Sequence, residues 1–278
     1  MNKFDKGVGG LISQAKEIRK KLLKIMYKSG GSHIGGSLSC VDILTVLYFK
    51  VLSVKRSMQR DRFILSKGHA VAALYSVLCE KGFFSTRKLY TYCGEGSTLA
   101  GHSTLNSAAG IESTTGSLGH GLSIGAGMAL AGKNDKRKYK VFVLMGDGEC
   151  NEGSVWEAAL FAAQHKLDNL VAIIDNNKLQ GLGEGRHIMN LEPLEKKWQS
   201  FGWSTQRVDG HNFKELDQAL SSVPFQAQKP SILIADTVKG KGISFMEGRY
   251  EWHYKSLNLD QYNQGVKETD EKYCNKNS

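Results

Sequence analysis

The stretch VFVLMGDGECNEGSVWEAALFAAQHKLDNLVAIIDNN, residues 141–177, decides the fold. An apolar run, Val141-Phe142-Val143-Leu144, stops on Gly146-Asp147-Gly148, and a second, Leu170-Val171-Ala172-Ile173-Ile174, stops on Asp175-Asn176-Asn177. Two short apolar runs bounded by polar turns, with a helical period between them, read as strand, helix, strand, and hence as parallel neighbours in a covered sheet. The intervening helix carries Trp156, Leu160, Ala163 and Leu167 on one stripe, the face expected against the sheet. In a parallel sheet the carboxyl ends of all strands share one edge, where ligands bind. Asp147 and Asn177 are therefore expected on that edge, on strands roughly 5 Å apart, within reach of one ion.

Working outward, apolar residues at Leu11, Ala15, Ile18, Leu22 and Ile25 trace one face of an N-terminal helix. A glycine-rich loop, Ser29 to Ser37, precedes a buried helix over Cys40–Lys50. The stretch Asp61–His69 reads as a short strand ending in a polar turn; helices are expected at Ala70–Lys81 and Gly121–Gly132, and a long loop rich in Gly, Ser and Thr from Gly94 to Gly119. An edge-adjacent strand at Ser204–Val208, a helix at Phe213–Ser222 and a strand at Ser231–Asp236 complete the pattern. Strands alternating with helices predict an α/β fold, a central, mostly parallel sheet with helices on both faces. With no repeat or low-complexity linker, the reading is one domain over residues 1–265 and a polar tail, 266–278, expected to fray.

Composition excludes several classes. No apolar stretch is long enough to span a bilayer and the N-terminus lacks a signal-peptide pattern, which predicts a cytoplasmic protein without a membrane partner. Five scattered cysteines, Cys40, Cys79, Cys93, Cys150 and Cys274, form no CxxC pair and suggest reduced thiols. Lys plus Arg number 37 against 27 Asp plus Glu, a net charge of +10. That surplus favours anionic partners, phosphorylated metabolites among them, but no basic run with interleaved aromatics singles out nucleic acid.

The chemistry concentrates at the two strand ends. A carboxylate and an amide oxygen form a hard, incomplete shell that suits magnesium, or calcium or manganese, with phosphate oxygens and water filling the rest. Gly146 and Gly148 leave room for a diphosphate to approach the backbone. Gly148 and Asn176 are separated by 27 residues, a spacing far more specific than an isolated GDG turn.

With its GDG…NN pattern, the chain resembles the N-terminal, thiamine diphosphate-binding half of transketolase from about residue 10 to residue 258. The resemblance implies the thiamine diphosphate-binding fold, that cofactor, and Asp147, Asn177 and the backbone carbonyl of Leu179 as metal ligands. It implies catalytic roles for His33 in SGGSHIGG, His69 in LSKGH, His102 in AGH and His253 after KGKG, and cofactor contacts from Gly116, Leu118, Gly146, Gly148, Glu149 and Asn177. Glu152, included with those contacts, resembles a family glutamate at the dimer interface. His165 and His187 are read as structural; His120 and His211 are left open.

The resemblance stops short of the pyrimidine-binding half that supplies an activating glutamate. It therefore implies an N-terminal subunit of a split transketolase, working with a separately encoded C-terminal subunit in an α2β2 assembly. Its substrates would be sugar phosphates, exchanging a two-carbon ketol unit. Ile34 and Tyr254 stand where full-length transketolases usually have proline and glycine, which bears on substrate choice. The alternatives are a deoxyxylulose-phosphate synthase-like enzyme, the alpha subunit of a 2-oxo acid dehydrogenase, a specialised carbohydrate-precursor synthase, or a non-catalytic relative.

Overall fold

Side chains along each central strand alternate between two separate apolar layers. Phe142, Leu144, Val171, Ile173 and Leu233 enter one core, while Val141, Val143, Met145, Ala172, Ile174 and Ile232 enter the other. That period-two division, with every one of these residues buried, is what a sheet covered on both faces requires. The computed structural model describes residues 7–54 and 57–273. Its strands are β1 (Arg62–Leu65), β2 (Val141–Gly146), β3 (Leu170–Asn176), the short pair β4 (Leu179–Gln180) and β5 (Gly183–Glu184), β6 (Ser204–Asp209) and β7 (Ser231–Asp236). Five form one parallel sheet in the order β1-β2-β3-β7-β6, and β4 and β5 pair antiparallel as a separate hairpin. The expected α/β class holds, and β6 is the sheet edge itself.

Helices Val8–Ser29, Val71–Lys81 and Phe213–Ser221 cover one face; His120–Asn134, Gly153–Gln164 and Leu194–Ser200 cover the other. Close approach on the second face depends on missing side chains. A β-carbon at Gly125 would lie 2.5 Å from the Val143 side chain, so the helix sits directly on β2. Small residues serve the next helix in the same way, and here the sequence reading needs correction. Helix Gly153–Gln164 buries Val155, Ala158, Ala159 and Ala162 against the sheet, whereas Leu160 is 59% exposed. Of the stripe expected to face inward, Trp156 turns instead to Trp198 and Phe201, with ring centroids 5.0 Å away in each case. Alanines let the helix axis approach the strands, and the larger side chains are displaced to the flanks.

Two other expectations change. The glycine-rich loop is interrupted by a six-residue helix, Ile34–Ser39, every residue of which is buried. The tail does not fray at Val266: helix Leu259–Lys272 runs on through it, started by a reciprocal capping box between Asn258 and Gln261. Tyr262 stacks on Tyr27 at 4.9 Å, Asp270 pairs with Lys20 at 3.1 Å, and Thr269 is buried. Its composition is polar because one narrow face suffices to dock it on the first helix. Cys274 and the last residues of the tail lie outside the described residues.

The N-terminal helix also carries a buried charge. Arg19, fully buried, forms a two-pronged pair with Asp42 at 2.8 and 2.9 Å. His211 Nε2 accepts from the Val238 amide at 2.8 Å, so its Nδ1 carries the proton toward Asp42, also at 2.8 Å. Burial pushes the Asp42 carboxyl up, but Arg19 and His211 outweigh it and hold the group at about 2. His211 is thereby a structural residue. Removing one partner of such a network strands the other in the core, at about 3–5 kcal/mol. Asp42→Asn is expected to lower the urea unfolding free energy by that amount, while Lys267→Ala, which breaks an exposed pair, changes it by less than about 0.5 kcal/mol. Equal effects would contradict the assignment.

Candidate functional site

Everything expected to carry chemistry lies at the carboxyl-terminal edge of the sheet. Gly146 of β2 pairs in register with Asp175 of β3, so the chain turns from both strands side by side into Asp147 and Asn177. Asp147 accepts from the amides of Lys178 (2.5 Å) and Gly148 (2.7 Å); the Asn177 side chain accepts from the Leu179 amide at 3.1 Å. Burial first, and the nearby Asp175 second, push the Asp147 carboxyl up to about 6. The Gly148 and Lys178 amides and the Lys67 charge only partly offset this.

These residues fit a hard divalent cation. Asp147, Asn177 and the Leu179 carbonyl are all oxygen donors, line the same two cavities, and keep lone pairs beyond the hydrogen bonds they accept. Among the described residues no group of three His, Cys, Asp or Glu side chains forms a separate metal cluster. A shell with one carboxylate needs further oxygens from outside the protein, as a diphosphate provides.

The four predicted histidines converge although they come from four separate segments. His33 is central, its ring 5.3 Å from His69, 6.1 Å from His102 and 4.8 Å from His253. His33 adopts the left-handed region (φ 70°) at the start of helix Ile34–Ser39, and its amide donates to the His253 carbonyl at 2.9 Å. A non-glycine residue held there is costly and marks a site that the surroundings over-determine. Burial, and then neighbouring positive groups, lower the His33 and His69 imidazoles and bring His253 to about 4. Near pH 7 these three are neutral, able to donate through one nitrogen and accept through the other.

The cofactor set divides. Leu118, Gly146, Gly148 and Glu152 line a cavity of about 350 Å³ together with His69, Asp147, Asn177 and His253. Gly116 packs beside His102, where a β-carbon would lie 3.5 Å from the ring. Glu149 also borders this cavity, but its carboxylate is held by Ser66 and by the amides of Gly119 (2.9 Å) and Gly146 (3.1 Å), so it fixes three loops. A second cavity of about 530 Å³ shares Asp147, Asn177, Leu179 and Gln180 with the first. A third, of about 520 Å³ beside Arg60 and Glu112, contains none of the predicted residues. His165, His120 and His187 are exposed.

Three functional groups escaped the sequence reading. Lys67, 2% exposed, pairs with the buried Asp175 and donates to the Gly36 carbonyl at 2.9 Å. Asp175 also accepts from Ser39, at 2.5 Å, and from Thr237. Lys239 donates to the Leu179 carbonyl at 2.8 Å and stands 3.4 Å from His253; burial, with Lys67 adding to it, lowers its ammonium to about 8. The available signal was the position of Lys67 inside LSKGH and of Lys239 inside KGKG, but the partner of each lies far away in sequence.

Comparison with known proteins matches the family model described as transketolase, thiamine diphosphate binding domain, to residues 12–276. An apulose-4-phosphate transketolase subunit from Phocaeicola vulgatus is 46% identical over 263 residues, 93% of each chain. A 6-deoxy-6-sulfo-D-fructose transketolase subunit from a Clostridium species is 42% identical, covering 92% of this chain and 94% of its own. The crystal structure of Campylobacter jejuni transketolase superposes with a TM-score of 0.88 at 29% identity, over 96% of this chain and 43% of that one.

The lowered histidines have a measurable consequence. An unfolded histidine titrates near 6.5 and His253 in the folded chain at about 4, so between those values the unfolded state binds more protons. Its stabilising contribution is complete above about pH 6.5 and is lost on acidification toward about 4. Asp147, raised to about 6, acts in the opposite direction, which makes the informative quantity a difference. The melting temperature of His253→Gln should fall less than that of the wild type between pH 6.5 and 4. Parallel curves would show that His253 does not titrate abnormally.

Proposed function

Because the chain belongs to the transketolase family, through its thiamine diphosphate-binding domain, we propose that it is the cofactor-binding subunit of a transketolase divided between two chains. The observation that carries this reading is the histidine cluster, assembled from four segments beside Asp147 and Asn177 at one sheet edge. Asp147, Asn177 and the Leu179 carbonyl would hold magnesium, or calcium or manganese in its place, and through it the diphosphate. Lys67 and Lys239 place positive charge beside that anion. When bound, thiamine diphosphate supplies the carbanion that attacks a ketose carbonyl. The protein's share is positioning and proton transfer: neutral His33, His69 and His253, with His102 beside them, hold the hydroxyls and move protons at the reacting oxygens.

A second chain, carrying the pyrimidine-binding half, is part of the proposal, as is an α2β2 assembly. Relatives named as subunits of transketolases, of nearly this length, support it. Exposed apolar side chains on the second-face helix, Leu160 and Phe161, and Leu182 at 83% on the hairpin offer surface for that partner. The substrates are sugar phosphates or related sugars in the cytoplasm; the names apulose 4-phosphate and 6-deoxy-6-sulfo-D-fructose among the relatives favour specialised sugars over the common pentose phosphates alone.

Ketol transfer from a ketose phosphate, with thiamine diphosphate and magnesium, should appear when this chain is mixed with its C-terminal subunit and be absent from either chain alone. Transfer at an enzymatic rate by this chain alone would overturn the split assignment. In the complex, Asp147→Ala should weaken magnesium-dependent cofactor binding about a hundredfold, about 2.7 kcal/mol, and chelation of the metal should abolish it. Cofactor affinity unchanged by both treatments would remove Asp147 from the metal set.

A further inference from the structure

Two side chains follow directly on histidines of the cluster, Ile34 after His33 and Tyr254 after His253, and the structure separates their roles. Ile34 is fully buried in the first core and presents nothing to a ligand. Tyr254 is 61% exposed and borders the cavity of about 350 Å³. Its ring stands edge-on to His253 at 4.7 Å and lies 6.4 Å from His33. Its hydroxyl rests against Gly181 of the hairpin, where a β-carbon would come within 2.6 Å of the phenol oxygen. The glycine therefore provides a notch that seats the end of the tyrosine. The side chain reaches from the turn at residues 250–253 across to the hairpin and stands over the cavity mouth.

We infer that Tyr254 is a specificity-determining residue: its ring is a wall at the cavity mouth, beside His33 and His253, that limits the bulk of the sugar chain admitted to the histidines. The inference rests on the ketol-transfer reading above. An aromatic side chain with only two rotatable bonds loses little entropy when it acts as a rigid boundary. A boundary of this kind discriminates by repulsion, admitting a short aldehyde and penalising a longer chain. Specificity built from a few carbon atoms' worth of space is on the order of tenfold to a hundredfold.

The test uses the complex of this chain with its C-terminal subunit, fructose 6-phosphate as ketol donor, and two acceptors, glycolaldehyde and ribose 5-phosphate. The measured quantity is the ratio of kcat/KM for ribose 5-phosphate to that for glycolaldehyde. Tyr254→Gly should raise this ratio about tenfold, and Tyr254→Ser, a second truncation, should move it the same way. Tyr254→Phe, which keeps the ring, should stay within about twofold of wild type. An unchanged ratio in both truncations, or a phenylalanine variant that shifts as far as the glycine variant, would overturn the wall. If the wild-type complex and both truncated variants bind thiamine diphosphate yet transfer no ketol to either acceptor, the ketol-transfer reading itself fails and takes this inference with it.

Discussion

A single buried ion pair, Lys67 with Asp175, holds the working edge of the sheet together. Lys67 follows β1 and Asp175 is part of β3, so the pair spans the end of β2 between them. Lys67 also fixes the Gly36 carbonyl, and Asp175 takes the hydroxyls of Ser39 and Thr237. The segments that deliver His33, His69, Asn177 and Lys239 are thereby tied to one point. Burial would push the Asp175 carboxyl up, but Lys67 and the hydroxyls more than offset it and keep it below its ordinary range. A pair this deep is stable only while every remaining lone pair is satisfied, which is why the surrounding loops share one geometry.

The same pair sets the electrostatics around it. Asp175 raises its neighbour Asp147, while Lys67 contributes to lowering His33, His69, His253 and Lys239. One side of the site is thus a carboxylate in want of a cation, and the other a set of imidazoles kept uncharged. A diphosphate with its metal ion matches the first, and a polyhydroxylated carbonyl compound the second. In the proposed reading, cofactor and substrate take separate places within the one site.

Much of this was legible in the sequence because it is periodic or local. Runs such as Val141–Leu144 and Leu170–Ile174 read as buried strands from their length and polar bounds, and as neighbours in the sheet they bring Asp147 and Asn177 to one edge. The inward face of helix Gly153–Gln164 was misread because hydrophobicity favours Leu160 over alanine, whereas packing distance favours Ala158, Ala159 and Ala162. The polar tail was misread because a docked helix needs only a few contacts, such as Tyr262 on Tyr27, that composition does not reveal. Lys67 and Asp175 were invisible as partners, since they lie 108 positions apart in the sequence and only the strand order brings them together.

The bond between the His33 amide and the His253 carbonyl joins segments that lie far apart along the chain. Ser256 closes the same junction by donating to the Gly30 carbonyl at 2.6 Å. Contacts of such long sequence separation form late, after the loop between them has been closed. During synthesis the earlier segments can pair and bury their cores while the pocket still lacks a wall. The junction that sets His253 against His33 is therefore completed only when the segment carrying His253 and Ser256 has left the ribosome, which makes this corner of the cavity the last to be built.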